Sequence, residues 1–137
     1  MASRVLVMLG SESDRPVMQK GIDVLAEAGV DVEVVVSSAH RDPVTTGEIA
    51  SSAEANGFAV IVCGAGLSAA LPGVVAAHTQ LPVIGVPISA GTLGGLDALL
   101  SIVQMPPGVP VATVGIDNSR NAGHLALRVI RAGVAAR

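Results

Sequence analysis

Short apolar runs alternate with amphipathic stretches along the whole chain. Five apolar runs have the pattern of strands buried on both faces of a parallel sheet, and they span residues 4–9, 32–36, 58–63, 82–87 and 109–116. The stretches between the runs carry apolar residues at helical spacing. This order of strand and helix, repeated five times, predicts an α/β fold with a parallel sheet, helices on both faces and right-handed crossovers.

Glycine and proline positions indicate where the helices begin and end. Pro16 suits the first turn of a helix that Gly29 terminates, and a second helix is predicted over residues 42–56, with Gly57 as its stop. Three further helices are predicted over residues 69–77, 94–103 and 119–131, and a tight turn of small residues over 64–68.

The composition favours one domain, over residues 1–137, that does not remain a monomer. Half of the residues are hydrophobic, 14% are charged, Phe58 is the sole aromatic residue, and residues 55–96 include no Asp, Glu, Lys or Arg. A small protein has a high surface-to-volume ratio and needs polar cover. The missing cover predicts that apolar surface is buried between subunits of an obligate homo-oligomer.

A membrane-spanning segment is the other explanation of the uncharged run, but glycines and prolines interrupt it, and a spanning helix needs about 20 apolar residues in one piece. The start, Met1 to Arg4, leads directly into a strand without a signal-peptide pattern. Cys63 is the single cysteine, which excludes an internal disulfide. We therefore expect a cytoplasmic protein, and the net charge of −3 without a basic cluster argues against nucleic-acid binding.

Candidate chemistry is concentrated between the second strand and the second helix. Ser37, Ser38, His40 and Arg41 lie there, at the carboxyl end of a strand, where open α/β sheets bind ligands. An imidazole can both donate and accept a proton near neutrality, which favours His40 as a proton carrier. The alternative is that Ser38 or Asp42 merely caps the helix and His40 is an ordinary loop residue.

Two further loops, 10–14 and 64–70, open on the same edge of the predicted sheet. Arg41 is a bidentate anion partner, and Asp14 can accept from sugar hydroxyls. The hydroxyl donors come from Ser11, Ser13, Ser37, Ser38 and Ser68. Together they outline a phosphate-and-ribose site. The alternative is that the glycines serve packing and Asp14 caps a helix.

Two other kinds of site are not predicted. The loop of residues 10–14 lacks the Gly-Lys-Ser/Thr ending of a P-loop. The three histidines lack metal-ligand spacing, so no metal is predicted.

Several short motifs lie in and around these loops. They are Gly10-Ser11-x-Ser13-Asp14, Ser38-Ala39-His40-Arg41, Ala65-Gly66, Leu71-Pro72-Gly73, residues 81–87 and Ser101-Ile102-Val103-Gln104-Met105-Pro106. Together they resemble the motifs of the PurE family of purine biosynthesis, over about residues 4–116. The resemblance implies a three-layer flavodoxin-like α/β fold with a five-stranded parallel sheet, and a homo-octamer whose sites form where subunits meet.

The bacterial members are N5-carboxyaminoimidazole ribonucleotide mutases, so the resemblance implies transfer of a carboxylate from the exocyclic nitrogen to ring carbon four. The implied route is decarboxylation in a closed pocket and recapture of carbon dioxide, with His40 as proton shuttle and no metal, nucleotide or redox cofactor. By motif, Ser11, Ser38 and Arg41 would hold the phosphate and Asp14 the ribose. The base and carboxylate would contact Gly64, Ala65, Gly66, Ser68, Ala70 and Leu71.

Three departures from the family pattern leave alternatives open. Ala70 stands where the mutases usually carry a second histidine. Ser68 resembles the sister class, which carboxylates aminoimidazole ribonucleotide directly with carbon dioxide, whereas Arg41 resembles the mutases. The segment 117–121 diverges as well. The first alternative is a direct carboxylase. The second is a divergent paralogue that acts on a related ribonucleotide or only binds it.

Overall fold

The sheet of the computed structural model, which describes residues 3–137, has five parallel strands. The strands are β1 (Arg4–Leu9), β2 (Asp31–Val36), β3 (Phe58–Gly66), β4 (Val83–Ile88) and β5 (Ala112–Thr113). Their spatial order is β2-β1-β3-β4-β5, the flavodoxin-like order, so the predicted fold class is confirmed. The expected course of Met1 and Ala2 lies outside the described residues.

The helices form a layer on each face of the sheet. They are α1 (Arg15–Glu27), α2 (Pro43–Ser52), α3 (Leu71–His78), α4 (Leu96–Val103) and α5 (Ser119–Ala135). Helices α1 and α5 contribute to the core on one face, and α2, α3 and α4 to the core on the other. Within residues 3–137, no helix combines the length and the hydrophobicity that a bilayer crossing requires.

Alternating side chains of β1 explain why its sequence is apolar from Val5 to Leu9. Val5, Val7 and Leu9 pack toward α1 and α5, whereas Leu6 and Met8 pack toward the opposite helices. Successive side chains of a strand point to opposite faces. Both faces are covered, so both sets of side chains must be apolar.

Three predicted boundaries are wrong for local reasons. The fifth strand, expected over 109–116, is only two residues long, because Pro110 cannot donate to the ladder at this sheet edge. Strand β3 continues through Gly66, where a turn was expected, because small residues there pair with the end of β4. Helix α2 ends at Ser52 instead of residue 56, and a turn at Gly57, with φ of +87°, starts β3.

Candidate active site

The loops that follow β1, β2 and β3 meet around one cavity of about 240 Å³ at the carboxyl edge of the sheet. The chain leaves β1 toward β2 on one side and returns to β3 on the other. Ligands of open α/β folds bind at such a switch point. The cavity is lined by Gly10, Ser11, Ser13, Asp14, Ser38, Ala39, His40, Arg41, Ala65, Gly66, Leu67, Ser68, Ala69, Ala70, Leu71 and Ala90.

Eleven of the thirteen residues predicted for the site share the wall of this cavity, and Ser37 and Gly64 do not. Ser37 is buried, and its hydroxyl lies 2.6 Å from Oγ1 of Thr46. The Gly64 carbonyl accepts a hydrogen bond of 3.0 Å from the Gly10 amide. A Cβ at Gly64 would overlap Sδ of Met18 and lie 3.0 Å from its Cε. Gly64 therefore permits packing beneath the site, as the alternative interpretation of the glycines held.

Five lining residues were not among the site residues named from the sequence, although two of them belong to the family motifs; the five are Gly10, Ala39, Leu67, Ala69 and Ala90. Four of them belong to loops that were already selected. Ala90 follows β4, and the rule that ligands bind at strand ends would have included it. It was missed because an alanine side chain has no polar or reactive group that would mark it as a site residue.

The first loop holds Asp14 at the bottom of the cavity by a capping box. The Asp14 Oδ2 atom accepts from the Ser11 amide at 3.1 Å, and the Ser13 amide donates to Oγ of Ser11 at 3.3 Å. Burial raises the pKa of Asp14, and the hydrogen bond from Ser11 opposes that rise. Asp14 is therefore the partner of Ser11 in the capping box and a buried carboxylate in the cavity wall, but its side chain makes no capping hydrogen bond to α1.

Asp14→Asn is expected to raise the free energy of unfolding at neutral pH. The raised pKa means that the native state binds the Asp14 proton more tightly than the unfolded chain does, and aspartates of an unfolded chain titrate at about 3.9. Stability therefore falls as pH rises through this window, and the ionised carboxylate opposes folding. Urea denaturation should show the gain of the variant shrinking on acidification below the native pKa. A variant less stable than wild type at neutral pH would contradict this.

The second loop presents His40 and Arg41 at the tip of a tight turn. The Asp42 amide donates to the Ser38 carbonyl at 2.8 Å, and the Arg41 amide donates to Oγ of Ser38 at 3.2 Å. Asp42 caps α2 by accepting from the Thr45 amide at 3.2 Å, as the alternative interpretation held. The side chains of His40 and Arg41 are exposed, and they form no hydrogen bond with any other side chain or backbone group of residues 3–137. Both are therefore available to a ligand.

The third loop, which follows β3, forms another part of the cavity wall and contains one residue with a left-handed backbone conformation. Leu67 has φ of +54°, and its carbonyl accepts from the Ala69 amide at 2.9 Å. A Cβ at Gly66 would lie 3.2 Å from Cβ of Ala90, and one at Gly91 would lie 3.1 Å from Cδ2 of Leu67. The loop after β4 is thus packed tightly against this wall.

The other reactive side chains lie away from the cavity. His78 forms a 2.8 Å hydrogen bond through Nδ1 with the Val74 carbonyl, and its ring covers Gly47. His124 lines a different cleft beside Arg128. Cys63 is fully buried, and burial raises the pKa of its thiol. Over residues 3–137, no three His, Cys, Asp or Glu side chains are grouped as metal ligands.

The matching family model and the sequence relatives indicate the same family. The model of the family described as AIR carboxylase matches residues 4–136. The N5-carboxyaminoimidazole ribonucleotide mutase of Thermotoga maritima is 54% identical over 93% of this chain and 74% of its own length. The mutase of Mycobacterium tuberculosis is 56% identical over 94% and 74%. The chloroplastic phosphoribosylaminoimidazole carboxylase of Vigna aconitifolia is 55% identical over 90% of this chain and 22% of its own length.

Solved structures agree with the sequence relatives. The crystal structure of Treponema denticola PurE superimposes with a TM-score of 0.85 at 27% identity, over 94% of this chain and 80% of that one. A variant of PurE2 from the same organism gives 0.86 at 26% identity, over 96% and 81%. The resemblance to the PurE family is confirmed, and the chain belongs to the AIR carboxylase family.

Proposed function

We propose that this protein is an N5-carboxyaminoimidazole ribonucleotide mutase that produces 4-carboxy-5-aminoimidazole ribonucleotide. The observation that carries the proposal is the convergence of His40, Arg41 and Asp14 on one cavity. The curated mutases among its relatives, at 54–56% identity over most of the chain, give this cavity its reaction class.

The substrate binds with its phosphate at Arg41 and its ribose at Asp14. A guanidinium binds a phosphate bidentately. Ser11 and Ser38 line the same cavity, and their hydroxyl groups can donate protons to the phosphate. The Ser38 oxygen is the acceptor for the Arg41 amide, so the Ser38 hydroxyl proton can point to the ligand. The carboxylate of Asp14 accepts from ribose hydroxyls. Asp14 lies in the cavity wall although burial disfavours its ionisation, and this position supports a role in binding.

The base lies against the small residues of the third loop. Ala65, Gly66 and Ala70 leave space for a planar ring there, and Ser68 and Leu71 complete this wall. The backbone of residues 67–70 can hydrogen-bond to the carboxylate. Exclusion of water by the bound substrate retains carbon dioxide in the cavity.

His40 carries the proton that links the two half-reactions. When the bond between N5 and the carboxylate carbon breaks, the nitrogen retains the bonding electrons and takes a proton from the imidazolium. Carbon dioxide leaves, and C4 attacks it to form the new carbon–carbon bond. The neutral imidazole then removes the C4 proton, which restores the aromatic ring and the imidazolium. The sum is an isomerisation that needs no cofactor.

Direct carboxylation of aminoimidazole ribonucleotide is the second candidate. Ser68 in the cavity wall and the carboxylase of Vigna aconitifolia among the relatives favour it. The two reactions differ in what they consume. We expect purified protein to convert the N-carboxy substrate without added bicarbonate. Product from aminoimidazole ribonucleotide with concentrated bicarbonate alone would favour the carboxylase, and ligand binding without turnover would favour a binding paralogue.

The protein assembles with further copies of itself, as a closed octamer in the cytoplasm, through the exposed side of α4. Leu96, Leu100 and Val103 lie there at helical spacing and are 51%, 50% and 45% exposed. Leu93, just before the helix, and Leu67, in the cavity wall, are 61% and 56% exposed. A second copy is the occupant we propose, because this apolar strip continues to the cavity, which a neighbour would then shield from water.

Leu100→Glu is expected to dissociate the assembly, because it places a charge at the centre of the proposed contact. Sedimentation velocity should show an oligomer for wild type and smaller species for the variant. Ala132→Glu is the matched control, since it adds the same charge at an exposed position of α5, on the other face of the sheet. A wild-type protein that sediments as a monomer would contradict the contact.

A further inference from the structure

The turn that carries His40 is held at both ends by one buried hydroxyl. Oγ1 of Thr46, on α2, lies 2.6 Å from Oγ of Ser37 and 3.0 Å from the carbonyl oxygen of Asp42. Ser37 immediately precedes the turn of residues 38–42, and Asp42 ends it. The Thr46 side chain is 0% exposed and that of Ser37 is 6% exposed, so neither hydroxyl is part of the solvated surface.

The direction of these hydrogen bonds follows from the proton count. A threonine hydroxyl has one proton, and Thr46 donates it to the Asp42 carbonyl. Ser37 must therefore donate its own proton to Oγ1 of Thr46. The Ser37 amide donates to the Leu9 carbonyl at 2.9 Å, which ties the beginning of the turn to β1.

The hydroxyl of Thr46 is not needed to start α2. Asp42 caps that helix through its carboxylate, and the Thr46 amide donates to the Asp42 carbonyl at 3.2 Å. A valine would fill the same volume without burying a polar group, which costs free energy unless it is hydrogen-bonded. What the hydroxyl adds is the connection between the two ends of the turn.

We infer that Thr46 is a positioning residue for the reaction, and that the Ser37–Thr46–Asp42 connection fixes the turn so that the His40 imidazole meets the substrate in one geometry. The inference rests on the proposed function, because it assigns the turn to catalysis. Small displacements of a catalytic group can lower a rate on the order of 10²-fold.

Three variants separate positioning from stability. Thr46→Val leaves the Ser37 hydroxyl buried without a partner, whereas the double variant Ser37→Ala, Thr46→Val removes both partners and should regain most of the lost stability. We expect kcat to fall roughly 10- to 100-fold in both, with a smaller change in KM, and to recover in Thr46→Ser. A double variant with wild-type kcat would overturn the inference, because a purely stabilising pair predicts that outcome.

A second measurement does not depend on turnover. Hydrogen–deuterium exchange of the unliganded protein, followed on peptides that cover residues 38–46, reports the amides of Arg41 and Asp42. We expect exchange there to be about tenfold faster in Thr46→Val and in the double variant but not in Thr46→Ser, with peptides from β4 and α5 unchanged. Wild-type exchange in the double variant would overturn the inference. If wild-type protein converts no substrate, the proposed function fails, and this exchange result still decides whether Thr46 holds the turn.

Discussion

Replacing His40 with asparagine is expected to lower kcat by about 10²–10⁴-fold, the usual contribution of a positioned general acid–base group. Asparagine keeps a polar side chain that can hydrogen-bond but cannot carry a proton between N5 and C4. Substrate binding should change much less, because Arg41 and Asp14 remain in the cavity. Steady-state kinetics would give kcat, and calorimetric titration with the 4-carboxy product would give the affinity.

His124→Asn is the matched control for this prediction. His124 is exposed on α5 and lines a cleft separate from the site, so the same chemical change should leave kcat at the wild-type value. An active His40→Asn protein would remove His40 from the mechanism. An equal loss in both variants would indicate that histidine replacement acts through stability.

The position of the site could be predicted because it depends on topology more than on detail. Once β1, β2 and β3 are parallel, their following loops must open on one edge. Ser11, His40 and Ser68 therefore come together, although they are far apart in the sequence. This prediction needs only the order and direction of the strands, so an error of a residue in the end of a strand does not change it.

The details that failed depend on contacts that no local pattern reveals. Gly64 looked like part of a loop, but pairing with Leu9 keeps it in the sheet, and the side chain of Met18 occupies the space that a Cβ would need. The sequence of β5 is apolar enough for a strand, but Pro110 and an edge position limit its pairing. The sequence pattern of α2 did not indicate that the Thr46 side chain would form a hydrogen bond with Ser37.

The close approach of α1 and α5 makes Gly21→Ala the substitution with the largest expected effect on stability. A Cβ at Gly21 would overlap the carbonyl oxygen of Ser119 and lie 2.9 Å from its carbonyl carbon. These are backbone atoms, so no side-chain rotation relieves the overlap. The Gly21 amide also donates to Oγ of Ser119 at 3.0 Å, and that hydroxyl donates to the Val17 carbonyl. Separating the helices would strain or break both bonds.

We expect Gly21→Ala to lower the free energy of unfolding by about 3 kcal/mol, since overpacking a tight core costs roughly 1–3 kcal/mol and each lost hydrogen bond about 1 kcal/mol. Gly133→Ala in α5 is the matched control, because nothing lies within 4 Å of its added Cβ. That variant should gain about 0.5–1 kcal/mol from helix propensity. Urea denaturation of the two proteins should therefore give shifts of opposite sign. A gain in stability in both variants would mean that glycine-to-alanine propensity, and not the contact with Ser119, dominates at Gly21.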